Sequence, residues 1–228
     1  MTIASMTMNG DAATRPASTT RGIGLLSVAT GVAAFALLAA HPAENAQTFA
    51  QVIQNEAAGQ LIAAVVHGSF IVVLALQAVC YAVFSGRLGL QRPAAVAGLV
   101  FFAIGMVFFC GSLLMDGLVT PAIAARYVSK PDKIESARVL FVLMGTMTSF
   151  LMPIGLTFLS AAIAAWGWAL TATGHRMAGL FGLALGVVMI VALAASSALA
   201  NPFAMMAAIA ATGLWAITAG MLMLRERI

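Results

Sequence analysis

Two ionisable side chains, Asp116 and His67, lie inside long apolar stretches of this 228-residue sequence. Asp116 is the only acidic residue within any of the hydrophobic stretches, and it lies in the segment GSLLMDGLVTP, residues 111–121. A carboxylate is costly to place in hydrocarbon, so such a residue usually pairs inside a helix bundle and marks a functional site. Histidine changes its charge near neutral pH. The two side chains are therefore candidates for binding a proton or a small ligand.

Several other polar residues share helix faces with this pair. Glu56 and Gln60 precede His67 by eleven and seven positions. Ser112 precedes Asp116 by four. At 3.6 residues per turn, these spacings place each set on one face of a helix, and a further histidine lies at a similar depth, at the end of the first apolar stretch. The spacing predicts a polar pocket open to the outside, and its candidate ligand- or proton-binding residues are His67, Asp116, Gln60, Glu56, Ser112 and His41.

Three interpretations of the His67–Asp116 pair stay open. The pair is a structural hydrogen bond between interior polar groups, a proton- or substrate-binding site of a small transporter, or a metal, haem or catalytic site. Histidine and carboxylate side chains suit a divalent metal, but no ligand-spacing motif in the sequence supports one. The sequence also lacks a CxxCH motif for haem attachment. We therefore predict no bound cofactor, and the metal assignment stays unknown.

The composition indicates the class of protein that carries this pair. Hydrophobic residues make up 62% of the chain and charged residues 8%, whereas soluble domains average about 45–50% and about 25%. A helix needs about 20 apolar residues to cross the hydrocarbon core, and six stretches meet this need. They are residues 22–40, 61–84, 93–119, 139–170, 178–199 and 203–224. The sequence therefore predicts an all-α polytopic transmembrane bundle of six helices.

The basic residues predict how these helices are oriented. Seven lysines and arginines lie on one side of the predicted bundle and four on the other, and the richer side is normally cytoplasmic. The first group is Arg15, Arg21, Arg87, Arg92, Arg176, Arg225 and Arg227, and the second is Arg126, Lys130, Lys133 and Arg138. Both termini are then cytoplasmic, and the expected location is a bacterial-type inner membrane. The scattered basic positions also argue against nucleic-acid binding.

The first 21 residues are rich in Ser, Thr, Ala and Met. They predict a disordered cytoplasmic tail before a transmembrane domain of residues 22–228. A cleaved signal peptide is the rival interpretation, although the apolar stretch at 22–40 exceeds the usual ~7–15 residues of a signal. Residues 41–60 are expected to form an outer loop, with a short amphipathic helix at 48–57 as a lid over the pocket. Residues 122–133 are expected to be a solvated connector.

Small residues predict where helices pack closely. Gly182 and Gly186 form a GxxxG motif for close backbone approach. In a six-helix chain such a motif is expected to form an internal packing seam, and contact with a helix of a partner protein is the alternative. The other expected partners are the lipid bilayer and a small-molecule or proton ligand. No P-loop, HExxH or GxSxG motif is present, which favours a protein that is not an enzyme.

The best prediction of function is small-molecule or ion binding, or transport, through the outward-facing polar pocket. The first alternative is a structural or accessory membrane subunit. The second is an intramembrane enzyme or a haem or metal redox protein. All three belong to the same predicted architecture, and the most useful observation to separate them is whether a cavity reaches His67 from the outer surface.

Overall fold

The computed structural model describes residues 17–41, 46–195, 202–225 and 228. Every regular element in these residues is helical. In chain order they are α1 (Ala17–Ala39), α2 (Phe49–Leu88), α3 (Pro93–Leu114), a π-helical segment (Met115–Val119), α4 (Thr120–Tyr127), a 3-10 turn (Pro131–Lys133), α5 (Ile134–Ala172), α6 (Arg176–Ala195) and α7 (Pro202–Leu224). Residues 1–16 of the predicted tail lie outside the described residues, and its last five residues begin α1.

Six helical stretches of the described chain are long and apolar enough to cross a membrane, which confirms the predicted all-α six-helix bundle. The π segment and α4 continue α3 directly, so the third stretch runs from Pro93 to Tyr127. Many large side chains on the outside, such as Leu25, Val72 and Val188, are apolar. Helices with such surfaces suit a bilayer because their backbone polar groups are satisfied internally.

Antiparallel helices pack through small residues in three places: α1 against α7, α3 against α5 and α5 against α6. An added Cβ at Gly31 would lie 2.7 Å from Ile217 Cγ1, and one at Gly186 would lie 2.5 Å from the Ser160 carbonyl oxygen. Lipid gives helices no hydrophobic reason to associate, so close backbone packing supplies the attraction. We call these contacts the glycine seams, and their glycines are Gly24, Gly31, Gly213 and Gly220 between α1 and α7, Gly105 and Gly155 between α3 and α5, and Gly167, Gly179 and Gly186 between α5 and α6.

The core of the bundle contains a cluster of large aromatic rings. Trp166 on α5 is fully buried, and its indole N–H donates to the Ser85 hydroxyl at 2.9 Å. The ring of Tyr81 lies 4.5 Å from that of Trp166, centroid to centroid. Gly98 on α3 provides the space, because an added Cβ there would lie 2.5 Å from the Trp166 indole nitrogen. These contacts hold α2 and α3 against α5.

The two ends of the bundle differ in how far the helices extend. At the short-turn end, residues 89–92 join α2 to α3 and residues 173–175 join α5 to α6. Helices α2 and α5 contain 40 and 39 residues, about 60 Å each and twice the hydrocarbon thickness. Away from the short turns they pack with α4 around a small second core of Ile53, Ala124 and Ala137. We call this the projecting end.

The predicted outer loop is wrong over most of its length. Residues 49–60 form the start of α2 rather than a loop with a separate lid helix, and the Thr48 hydroxyl caps this helix in a capping box with Gln51. The predicted connector at 122–133 is mostly α4 and the 3-10 turn. Both segments contain apolar side chains, Ile53 and Ala124, that bury against each other. Tertiary packing therefore extends the helices beyond the apolar stretches.

Candidate functional site

Helix lengths bring His67, Asp116 and His41 to one level of the bundle. His67 lies 21 residues before the end of α2, and Asp116 lies 23 residues after the start of α3. At 1.5 Å per residue, they are about 32 Å and about 35 Å from the turn that joins the two helices. His41 lies two residues after the end of α1. Because the hydrocarbon core is about 30 Å thick, the three side chains lie near its boundary at the projecting end.

His67 contacts Asp116 directly. Its Nε2 atom lies 3.2 Å from Asp116 Oδ2, and its Nδ1 atom lies 2.9 Å from the Ala63 carbonyl oxygen. The imidazole is buried, with 4% of the side chain exposed, whereas 42% of the Asp116 side chain is exposed. The pair therefore has one buried member, His67, and one partly exposed member, Asp116.

The hydrogen bonds of His67 set the electrostatics of the site. A carbonyl oxygen only accepts, so Nδ1 must carry a proton to bond to Ala63. In a neutral imidazole the other nitrogen, Nε2, then has only a lone pair. That lone pair would face a carboxylate oxygen of Asp116, which also only accepts when ionised. The contact becomes attractive when a cation occupies it, either a proton on Nε2 or a metal ion between the two side chains.

A π-helical segment, Met115–Val119, carries the carboxylate. Pro121 has no N–H, and in a regular α-helix its ring would press on the carbonyl of Gly117, four residues earlier. The N–H and hydroxyl of Thr120 instead both donate to the Met115 carbonyl, the hydroxyl at 2.9 Å. Segments of this kind are rare and often occur at functional sites. The local sequence thus explains why the helix widens at the site.

Gly117 allows the imidazole to lie against this segment. The residue is buried, and an added Cβ would lie 2.5 Å from His67 Nδ1 and nearer still to Cγ of the ring. Any other side chain would displace either the imidazole or the helix that carries it. The glycine that follows Asp116 is therefore part of what positions His67.

His41 completes a cluster of three ionisable side chains. Its ring meets that of His67 edge to face, with the centroids 5.2 Å apart. His41, His67 and Asp116 each offer one potential metal-ligand atom, and these atoms lie within 4.8 Å of one another. His41 is exposed, so the cluster is open to the surface. Direct contact of the two rings leaves no space for a porphyrin plane between them, so the arrangement does not suit a haem with two histidine ligands.

The other three predicted site residues are placed differently. Gln60 and Glu56 lie on the same helix as His67, but about 10 Å and about 16 Å further along its axis, and the cluster does not include them. Ser112 is fully buried, and its hydroxyl has no hydrogen-bond partner among the described residues. It lies about one helical turn below Asp116 along the chain.

Sequence reasoning missed three features of the site. The Ala63 carbonyl, the π segment and Gly117 were not among the candidates, although together they orient the imidazole and the carboxylate. A signal for two of them was present in the GLVTP sequence at 117–121. A proline four residues after a glycine inside an apolar stretch indicates a disturbed turn next to a position without a side chain.

A cleft of about 770 Å³ lies at the short-turn end rather than at the cluster. It is lined by residues of α6 and α7 and of the turn before α6, and neither His67 nor Asp116 contributes to it. Below the cluster, Phe70 and Leu113 are buried in the apolar core. The cluster is therefore reached from the surface through His41 and Asp116.

The predicted partner-binding glycines lie inside the bundle. An added Cβ at Gly182 would lie 2.7 Å from Cη2 of Trp215, and one at Gly186 would lie 2.6 Å from the Ala164 backbone nitrogen. Both positions are occupied by helices of the same chain.

Comparison of the chain with protein-family models, curated protein sequences and solved structures finds no match. The proposals below therefore depend on the geometry of the described residues.

Proposed function

We propose that this integral membrane protein binds a divalent transition-metal ion, of the Zn²⁺ class, at His41, His67 and Asp116. One observation carries the proposal. Nδ1 of His67 is committed to the Ala63 carbonyl, while Nε2 faces Asp116 Oδ2 at 3.2 Å. Metal-binding histidines commonly donate their second ring N–H to a carbonyl or carboxylate in this way, which orients the ligating nitrogen.

The ligand types support a transition metal over the alkaline-earth ions. Calcium and magnesium prefer oxygen ligands, whereas two imidazoles with one carboxylate suit zinc and its neighbours. Zinc–nitrogen and zinc–oxygen bonds are about 2.0–2.2 Å long, so two ligand atoms of a tetrahedral ion lie about 3.3 Å apart. His67 and Asp116 already meet this spacing at 3.2 Å, whereas a ligand atom 4.8 Å from another must approach by about 1.5 Å. His41 is exposed and lies just beyond the end of α1, so this side chain supplies the movement.

Three protein ligands leave one position of a tetrahedral metal free. Sites of this kind exchange water or substrate, unlike closed structural sites with four protein ligands. The exposure of Asp116 and His41 supports uptake of the ion from the water that borders the bilayer. The buried apolar layer that includes Phe70 and Leu113 favours binding at the surface over passage through the bundle.

The proposal is tested by titrating the purified protein in detergent with Zn²⁺, using isothermal calorimetry. We expect one ion per chain, and loss of at least about a hundredfold in affinity in His67→Gln and in Asp116→Asn, because each removes a ligand. His41→Ala should lose less, because His67 and Asp116 already lie 3.2 Å apart, whereas the exposed His41 must move to reach the ion. Binding should release protons and weaken as the pH falls, because histidine ligates a metal only when it is neutral.

Asp132→Asn is the matched control, because Asp132 is an exposed carboxylate outside the cluster. Equal losses in Asp116→Asn and Asp132→Asn would contradict the proposal, as would a wild-type protein that binds no zinc.

A proton is the second candidate cation, because a separation of 3.2 Å also suits a protonated imidazole paired with a carboxylate. A site for protons alone would bind no metal. The ¹⁵N chemical shifts of His67 would still report a titration that Asp116→Asn changes.

We further propose a bacterial inner membrane with both termini in the cytoplasm. Arg87 and Arg92 lie at the short-turn end, and this end also carries the start of α6 and the end of α7. Loops rich in lysine and arginine are normally cytoplasmic. In a cysteine-free background, a membrane-impermeant thiol reagent applied to intact spheroplasts should label Ser129→Cys and not Leu90→Cys. The reverse labelling would overturn this orientation.

A further inference from the structure

The cleft at the short-turn end has basic side chains at its edge and apolar side chains along its walls. It has a volume of about 770 Å³ and lies between the beginning of α6 and the end of α7. Because these helices are antiparallel, their ends bring Arg176 and Arg225 to the same edge of the bundle. The residues that line it are Gly174, His175, Arg176, Met177, Ala178, Ile217, Thr218, Met221, Leu222 and Arg225.

The charge of the cleft is positive. Arg176 and Arg225 are both exposed, and His175 lies beside them. No carboxylate is found among the described residues of its lining. A guanidinium group presents several N–H donors that match the oxygens of a phosphate. The edge of the cleft is therefore suited to an anionic group.

The walls of the cleft are apolar. Met177, Ile217 and Met221 line it, and Leu222 packs against the main hydrophobic core. Further along α6, the side chain of Leu180 is exposed, so the apolar surface continues from the cleft along the membrane-spanning part of the bundle. An inorganic ion gains nothing from contact with an apolar surface, whereas an acyl chain can pack against it.

The turn before α6 fixes the backbone at the start of this helix. Gly174 has a positive φ of 89°, a conformation that glycine adopts readily. It allows the N–H of His175 to donate to the Leu170 carbonyl at 3.0 Å, which fastens the start of α6 to the end of α5. The first residues of α6 therefore have a fixed position relative to the groove.

We propose that this cleft binds one anionic phospholipid, with the phosphate at Arg176 and Arg225 and an acyl chain along the groove between α6 and α7. Basic pockets between membrane-spanning helices are suited to anionic lipid headgroups. The proposal is independent of the metal site, because the two sites share no residue and lie at opposite ends of the bundle.

The test is native mass spectrometry of the full-length protein in detergent. Dioleoyl phosphatidylglycerol, dioleoyl phosphatidylcholine and inorganic phosphate are the three probes. We expect phosphatidylglycerol to bind at least about tenfold more tightly than phosphatidylcholine, and Arg176→Gln with Arg225→Gln to remove this difference. Met221→Trp, which fills the groove, should weaken binding of both lipids. Thermal unfolding confirms that each variant is folded.

The matched control is Arg126→Gln with Lys133→Gln, which removes two positive charges at the projecting end, where both side chains are exposed. This variant should bind phosphatidylglycerol like the wild-type protein. Equal loss in the two double variants would show general charge attraction and overturn the proposal. Displacement of the lipid by millimolar inorganic phosphate, together with no effect of Met221→Trp, would show a phosphate site without a lipid groove and would also overturn it.

Discussion

Two glycines, Gly186 and Gly117, show how the same residue serves packing in one region and chemistry in another. Each is buried inside a helix, and an added Cβ at either would lie within 2.5 Å of a neighbouring residue. The neighbours of Gly186 are backbone atoms of Ser160 and Ala164, whereas the neighbour of Gly117 is the ring of His67. In the glycine seams, the absence of a side chain lets two helix backbones pack closely. At Gly117, the same absence leaves room for the imidazole of His67.

The comparison predicts that Gly186→Ala has the largest effect on stability. The neighbouring atoms belong to the α5 backbone and cannot rotate away, so α5 and α6 must separate. We expect a loss of about 3 kcal/mol, at the upper end for overpacked cores, measured as the free energy of unfolding in mixed micelles.

Gly59→Ala is the matched control for this change. It lies in α2 with no other atom within 4 Å of an added Cβ, so the same substitution should raise stability by about 0.5–1 kcal/mol through helix propensity. If Gly186→Ala is as stable as Gly59→Ala, the seam between α5 and α6 is not as close as described here.

Gly117→Ala should lower the free energy of unfolding less than Gly186→Ala does, but it should lower the affinity for zinc more. The contact is local to the π segment and the imidazole, so we expect a loss of about 1–2 kcal/mol in unfolding free energy. Displacement of the ring should lower zinc affinity at least about tenfold, because the position of the ligand is lost. Gly186→Ala, at equal folded fraction, should keep its zinc affinity. A Gly117→Ala protein with unchanged zinc binding would remove Gly117 from the site.

The sequence predicts the membrane-spanning core well because apolar stretches of sufficient length are a strong physical signal. Their true ends were less predictable. Residues 49–60 are polar enough to suggest a loop, yet Ile53 packs against Ala124 in the second core and keeps the segment helical. A contact between positions so far apart along the chain is not visible in either segment alone.

The candidate site was predictable in part. The cost of an ionised carboxylate in hydrocarbon singles out Asp116, and matching distances from the short turn bring it to His67. Helical spacing also placed Gln60 and Glu56 on the face of His67, but a shared face does not bring residues about two and about three turns apart into contact. The orientation of the imidazole depends on the Ala63 carbonyl and on Gly117. Neither residue has a polar side chain, so neither is recognisable as a site residue from the sequence.

The length of α2 has a mechanical consequence for the proposed metal site. This helix is continuous from Phe49 to Leu88, and its close contact with Gly117 lies near the middle, at His67. A rigid rod that is held near its middle moves least at that point, while both of its ends move more. Changes in bilayer thickness, or forces on the arm outside the membrane, would therefore tilt α2 and leave the ring close to its carboxylate. The part of α2 that moves least is therefore the part that carries His67, a ligand of the proposed metal site.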